Sequence, residues 1–272
     1  MRIRKTFAIA LVALVALTPI GASAATTDCG SPYDQAVLSD RPIAYFTLTA
    51  TPGDCTGRHP IAFHGTPTVA TLPNGEQTAD FDGASQFAEV PDSDDLSVRT
   101  TGALTIEAWL RPDQLEFPNS EATGYVHWLG KGQPDQQEWA ARLYSLTNSE
   151  NRPNRLSGYV FNLSGGLGTG SFAEDPLTTD RWIHFALLIT SARSRGYKMG
   201  YTALVKDGLW RDQDSLSSYG IRPGNGTAPL RIGTRDLASF FPGAIGKVAI
   251  YDRLLSTSAL TAHVTAMYTA AP

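Results

Sequence analysis

The residues after position 25 predict an all-β domain, an antiparallel sandwich or barrel, on three observations. First, short runs of aromatic and β-forming residues are separated throughout by Gly, Pro, Asn and Asp. Second, Leu104–Leu110 alternates strictly. Leu104, Ile106, Ala108 and Leu110 fall on one face and Thr105, Glu107 and Trp109 on the other, the two-residue period of a strand with one face in a core. Third, Tyr197–Lys206 runs into Asp207-Gly208 and resumes at Leu209-Trp210, the pattern of a two-residue hairpin.

The individual elements follow in order. Arg2, Arg4 and Lys5 precede the apolar run Phe7–Leu17, and Ala22-Ser23-Ala24 ends it with small residues. That arrangement predicts a secretory signal peptide over residues 1–25, cut after Ala24 or Ala25. The run is too short for the roughly 20 residues of a membrane-spanning helix. The expected location is therefore extracellular, where Cys29 and Cys55 are expected to form a disulfide tying the start of the mature chain to the loop after its first strand. Strands are predicted at Ala44–Thr49, Phe87–Val90, Leu104–Leu110, Tyr125–Gly130, Trp139–Leu146, Leu156–Leu163, Leu230–Gly233 and Ala244–Asp252. Ile183–Thr190 is continuously apolar, as for a strand buried on both faces. Only Ser256–Met267 reads as a helix, capped by Ser256 with Leu260, Val264 and Met267 on one face. With no linker or internal repeat, residues 26–272 are expected to form one domain.

Composition narrows the function. Hydrophobic residues make up 42% and charged residues 18% of the 272, which permits a large core and argues against disorder. The net charge is -4 and the basic residues are scattered, so neither nucleic acid nor an anionic membrane is an expected partner.

Three segments resemble the LamG-like jelly rolls of the concanavalin A-like lectin/glucanase superfamily. They are AYFTLT (Ala44–Thr49) after Leu38–Pro42, ADFDGASQFAEVPDSDDLSV (Ala79–Val98) with LTIEAWLRP (Leu104–Pro112), and LRIGTRDLASFFPGAIGKVAIYDRLLS (Leu230–Ser256). The resemblance implies an antiparallel two-sheet jelly-roll sandwich with a short C-terminal helix. It also implies a function among sugar binding, adhesion and glycan cleavage, which the fold alone does not separate.

Glycoside hydrolysis needs two carboxylates facing the scissile bond, about 5–5.5 Å apart for retention. An E-x-D-x-x-E strand, which places alternate acids on one face, is absent; Glu107 stands alone and Glu174-Asp175 are adjacent. A lyase would draw on His127, His184, Tyr144, Tyr159 and Arg142, but these form no motif, and His184 lies within an apolar run where a core role is expected. No G-x-S-x-G elbow, zinc motif or nucleotide loop occurs.

Sugars are recognised by aromatic faces together with planar amide, guanidinium and carboxylate groups. The densest such mixture is Trp139–Phe161: Arg142 and Tyr144 on one strand face, the loop residues Asn148, Asn151, Arg152, Asn154 and Arg155, and Tyr159 on the next strand. Either this hairpin is a binding surface or its asparagines serve turn chemistry. Arg235 and Asp236 are further candidates, as are Trp210, Arg211 and Asp212, each with a structural alternative. Asn162-Leu163-Ser164 and Asn225-Gly226-Thr227 fit the glycosylation sequon. Calcium is the cofactor to consider, with Asp92, Asp94 and Asp95 in one loop and Asp80, Asp82 and Asp252 near strand ends as candidate ligands. The resulting expectation is a secreted, non-catalytic lectin-like module for an extracellular polysaccharide or glycan; the alternatives are a polysaccharide-degrading enzyme and a protein-binding adhesion domain.

Overall fold

The alternating segment belongs to a ten-residue strand, Ala103–Pro112, about which the molecule is built. The computed structural model describes residues 29–117, 124–194 and 196–269, so the expected signal peptide and its cleavage point lie outside the described residues. In chain order the first elements are α1 (Pro32–Ser39), β1 (Ala44–Phe46), β2 (Ala62–His64), β3 (Thr68–Thr71), β4 (Gln77–Asp82), β5 (Phe87–Val90) and the single-turn α2 (Val98–Thr101). Next come β6 (Ala103–Pro112), β7 (Tyr125–Lys131), β8 (Trp139–Tyr144), β9 (Leu156–Val160), β10 (Thr169–Phe172) and β11 (Ile183–Thr190). The chain closes with β12 (Tyr201–Lys206), β13 (Leu209–Ser215), β14 (Leu230–Ile232), β15 (Pro242–Tyr251) and α3 (Thr257–Met267).

Two antiparallel sheets form the sandwich. One runs β13-β12-β11-β6-β15-β4-β3, with β1 also paired to β15; the other runs β10-β9-β8-β7-β14-β5-β2. Leu104, Ile106, Ala108 and Leu110 of β6 face Val126, Trp128, Trp139, Ala141 and Leu143 of the opposite sheet in one apolar core. The other face of β6 is also buried, which the alternation did not foretell. Trp109 packs there with Tyr33 and Val37 of α1 and Leu260 and Met267 of α3, so helices cover the back of the first sheet.

That cover corrects the expectation of a single helix. Helix α1 is stabilised by a reciprocal cap: Ser31 Oγ accepts from Asp34 N and Asp34 Oδ2 accepts from Ser31 N, both at 3.1 Å, and Pro32 pre-sets the first turn. At eight residues it is too short to display a helical period. The Cys29–Cys55 disulfide, with Cα atoms 6.1 Å apart, ties the segment before α1 to the loop after β1 as expected. The Asp207-Gly208 hairpin is present between β12 and β13, with positive φ of 53° and 73° at its two turn residues.

Beneath the helices lies a buried polar layer. Glu107 receives His184 Nε2 at 2.9 Å and His263 Nδ1 within about 3 Å, while His263 Nε2 lies 3.1 Å from Asp40 Oδ2. The expected core role of His184 is thus met by an ion partner. Burial alone would raise the pKa of Glu107, but the hydrogen bonds and charges of the two histidines outweigh it and hold it at about 2.

Candidate functional site

The face of the seven-stranded sheet turned away from the core carries side chains that alternate with the core residues of β7, β8 and β9. Register sets Tyr125 opposite Tyr144 and His127 opposite Arg142, while Ala140 pairs with Tyr159 on the next strand. Tyr125, His127, Arg142, Tyr144 and Tyr159 therefore gather on adjacent strands. The Arg142 guanidinium is sandwiched between the rings of Tyr125 and Tyr159, 3.9 and 4.4 Å from their centroids. Its Nε donates to His127 Nε2 at 3.1 Å, and one terminal nitrogen donates to Tyr144 Oη at 2.9 Å and Glu150 Oε1 at 3.4 Å.

A polar chain extends from Arg142 in both directions. Tyr144 Oη donates to Glu150 Oε2 at 2.9 Å and lies 2.8 Å from Tyr159 Oη, which accepts from Arg152 at 2.6 Å. On the other side, His127 Nδ1 lies 3.6 Å from Asp236, which is paired closely with Arg235. Arg231 then bonds the Arg235 carbonyl at 2.8 Å and Glu89 at 2.8 Å. Burial and the neighbouring Arg235 charge push the His127 pKa down to about 3, so its ring is neutral at pH 7. A neutral ring protonated at Nδ1 accepts from Arg142 through Nε2 and faces Asp236 with its N–H. Burial raises the pKa of Asp236, but His127 and Arg235 together hold it well below the carboxylate range.

The chain borders a cleft of about 260 Å³. Arg142 and Tyr159 form its inner wall, Glu150 and Arg152 come from the loop after β8, and Asp214 and Tyr219 from the end of β13 and the turn beyond. The remaining side is the glycine-rich segment Gly166-Leu167-Gly168 with Gly170. Glycine is required at Gly170 because a Cβ there would lie 2.2 Å from the Tyr159 ring, so β10 passes directly against that ring.

The expected ligand-binding residues separate into two groups. Arg142, Arg152 and Tyr159 line the cleft, and Tyr144 lies immediately behind, fully buried. The asparagines shape the loop instead. Asn148 Oδ1 accepts from Glu150 N and Arg152 N, both at 3.0 Å, and Asn151 and Asn154 adopt φ of 55° and 54°. Arg155 turns to Glu174 at 3.2 Å, and Arg235 and Asp236 are buried and mutually paired. Of the secondary candidates, Arg211 pairs with Asp175 at 3.9 Å and Asp212 accepts from Phe172 N at 3.0 Å, while Trp210 stays partly exposed. Sequence reasoning missed Glu150, Asp214 and Tyr219 as cleft residues. Glu150 sits two positions before Arg152 and was within reach of local reading, but nothing local joins Asp214 and Tyr219 to a loop some sixty residues earlier.

The candidate calcium ligands do not converge. Asp80 pairs with Arg111 at 3.1 Å, Asp82 caps its own turn through Ala84 N, Ser85 N and Gln86 N, and Asp252 lies near Arg253 at 3.5 Å. Asp92 meets Lys131 at 2.7 Å, Asp94 accepts from Asn225 at 2.7 Å and Asp95 pairs with Arg58 at 2.8 Å. Among the described residues no three His, Cys, Asp or Glu side chains are grouped to hold a metal. Calcium prefers about six to eight oxygens. These six aspartates, four of them already facing Lys or Arg, do not fit that requirement.

A family model described as the concanavalin A-like lectin/glucanases superfamily matches residues 82–261, from the end of β4 through β15 to the start of α3. The chain belongs to that superfamily. No curated protein matches it significantly. Among solved structures, domain 4 of AbnA, a GH43 extracellular arabinanase from Geobacillus stearothermophilus in complex with arabinotriose, superposes with a TM-score of 0.57 at 16% identity, over 82% of this chain and 98% of that one. The botulinum neurotoxin serotype D ligand-binding domain in complex with N-acetylneuraminic acid gives 0.57 at 10% identity over 83% of this chain. A botulinum neurotoxin DC binding domain in complex with rat synaptotagmin II gives 0.60 at 12% over 85%. The chain spans about half the length of those toxin domains (51% and 52%), and at these identities the likeness concerns the fold.

Proposed function

We propose that the chain is an exported, non-catalytic carbohydrate-binding module whose ligand seats in the cleft beside Arg142, Arg152, Glu150 and Tyr159. The observation that carries this reading is the composition of that cleft. Guanidinium donors, carboxylate acceptors and phenol groups converge on one solvent-facing hollow, the donor and acceptor set that sugar hydroxyls require. Relatives in fold that were crystallised with arabinotriose and N-acetylneuraminic acid support a glycan as ligand. Export is supported by the Met1–Ala25 signal pattern and by a disulfide, which is retained in oxidising compartments.

Neutral His127 lies below the cleft and is committed to Arg142 on one side and Asp236 on the other, which favours binding over proton transfer. The test is capture on a glycan array and on insoluble polysaccharides, with Arg152→Ala as the probe. Arg152 is partly exposed at the rim, so its loss is expected to weaken glycan binding roughly tenfold or more, as for a hydrogen bond to a charged group, without release of sugar products. Binding equal to wild type in Arg152→Ala, or accumulation of reducing ends or unsaturated products, contradicts this reading.

A further inference from the structure

We infer that the ligand is an uncharged saccharide whose apolar ring face packs on Tyr219. This rests on the carbohydrate-binding reading above and adds the class of sugar and the group that stacks on it. The first observation is that the aromatic rings of the inner wall are already covered. Tyr144 is fully buried, and Tyr159 has Arg142 on one face and Phe161 stacked beside it at a centroid distance of 6.0 Å. Gly170 passes against the same ring. None of these offers a face to a sugar. Across the cleft, Tyr219 is 53% exposed and Leu167 is 75% exposed, two large apolar side chains held in water at the rim. The C–H face of a sugar ring is the complement of such an exposed ring.

The second observation is charge. The cleft holds two guanidiniums, Arg142 and Arg152, and two carboxylates, Glu150 and Asp214. Glu150 lies 3.4 Å from Arg142 and 3.3 Å from Arg152, so both cations already face an anion. Asp214 takes hydrogen bonds from Ser215 N at 2.8 Å and Ser218 Oγ at 3.1 Å on Oδ1, and its Oδ2 accepts none among the described residues. With Asp214 the four charges of the cleft sum to zero, so a carboxylate or sulfate on the ligand would meet no net positive charge there. A hydroxyl, which both donates and accepts, satisfies a carboxylate and a guanidinium together.

The experiment uses the full chain with two sets of immobilised oligosaccharides. The neutral set comprises gluco-, xylo- and arabino-oligomers; the acidic set comprises oligogalacturonate, sialyllactose and heparin fragments. Affinities are read at low and high salt for wild type, Tyr219→Ala, Tyr219→Phe and Arg152→Ala. The expected result is binding confined to neutral oligomers and changed less than threefold by salt, with a loss of roughly tenfold in Tyr219→Ala and near-complete retention in Tyr219→Phe. Binding to the acidic set alone, or affinity that collapses with salt, overturns the uncharged ligand. Wild-type affinity in Tyr219→Ala alongside loss in Arg152→Ala overturns the stacking role and leaves the binding site standing. No binding to either set overturns both.

Discussion

Arg142 keeps its charge inside the protein because two tyrosine rings enclose it and Glu150 neutralises it. Its sharing of a face with Tyr144 was readable from strand alternation, whereas its place opposite His127 follows from a cross-strand register that alternation does not give. What alternation does not convey is cover. Tyr144 is buried because the loop after β8 folds back and brings Glu150 and Arg152 onto its hydroxyl, so Tyr144 acts behind the cleft rather than in it. Lys131 is the corresponding case at the other end of the sheet. It is fully buried, bonded to Asp92, to the Gly226 carbonyl and closely to Glu138, and of the aspartates considered for calcium it takes Asp92. Burial raises the Glu138 pKa and the Lys131 charge opposes that rise. Lys131→Met leaves Glu138 without its cation, and urea denaturation is expected to show a loss of about 3–5 kcal/mol.

At the scale of elements, α3 is docked by charge as well as by Leu260 and Met267. His263 projects from it between Glu107 and Asp40, and although burial lowers its pKa, those two carboxylates raise it overall. A histidine whose folded pKa is raised stabilises the fold fully below about 6.5, and that contribution is lost as pH climbs through the raised value. Glu107, depressed to about 2, contributes above its ordinary 4.5 and is lost as pH falls toward 2. His127, depressed to about 3, likewise costs stability as pH falls from 6.5 toward 3. Melting temperature against pH is therefore expected to peak near neutrality and to decline on both sides. His263→Gln is expected to flatten the alkaline limb and His127→Gln the acid limb; an unchanged alkaline limb in His263→Gln contradicts the role given to that side chain. Helix α3 was legible because eleven residues with a serine cap display a period, whereas eight-residue α1 relies on a local cap and on Cys29–Cys55. Replacing both cysteines with serine is expected to cost about 3 kcal/mol by freeing a loop of 26 residues, read from the denaturation midpoint.

For the whole molecule, the strands were legible and their order was not. β14 lies between β5 and β7, so segments roughly a hundred or more residues apart in sequence form neighbouring ladders, and no local pattern specifies that. The family resemblance supplied the two-sheet plan. The cleft shows the same division: its inner wall comes from one hairpin, while Asp214 and Tyr219 arrive only through the closure of the sandwich. With the candidate aspartates dispersed to separate partners, added calcium or EDTA is expected to leave the melting temperature unchanged.

The most direct test of the central claim is glycan binding by residues 26–272 with Arg152→Ala measured beside wild type, and with each variant's melting temperature recorded. The expected result is saturable binding by wild type that falls roughly tenfold in Arg152→Ala while the melting temperature holds. Saturable binding of equal strength in both proteins would place the ligand elsewhere on the sandwich and contradict the cleft as its site.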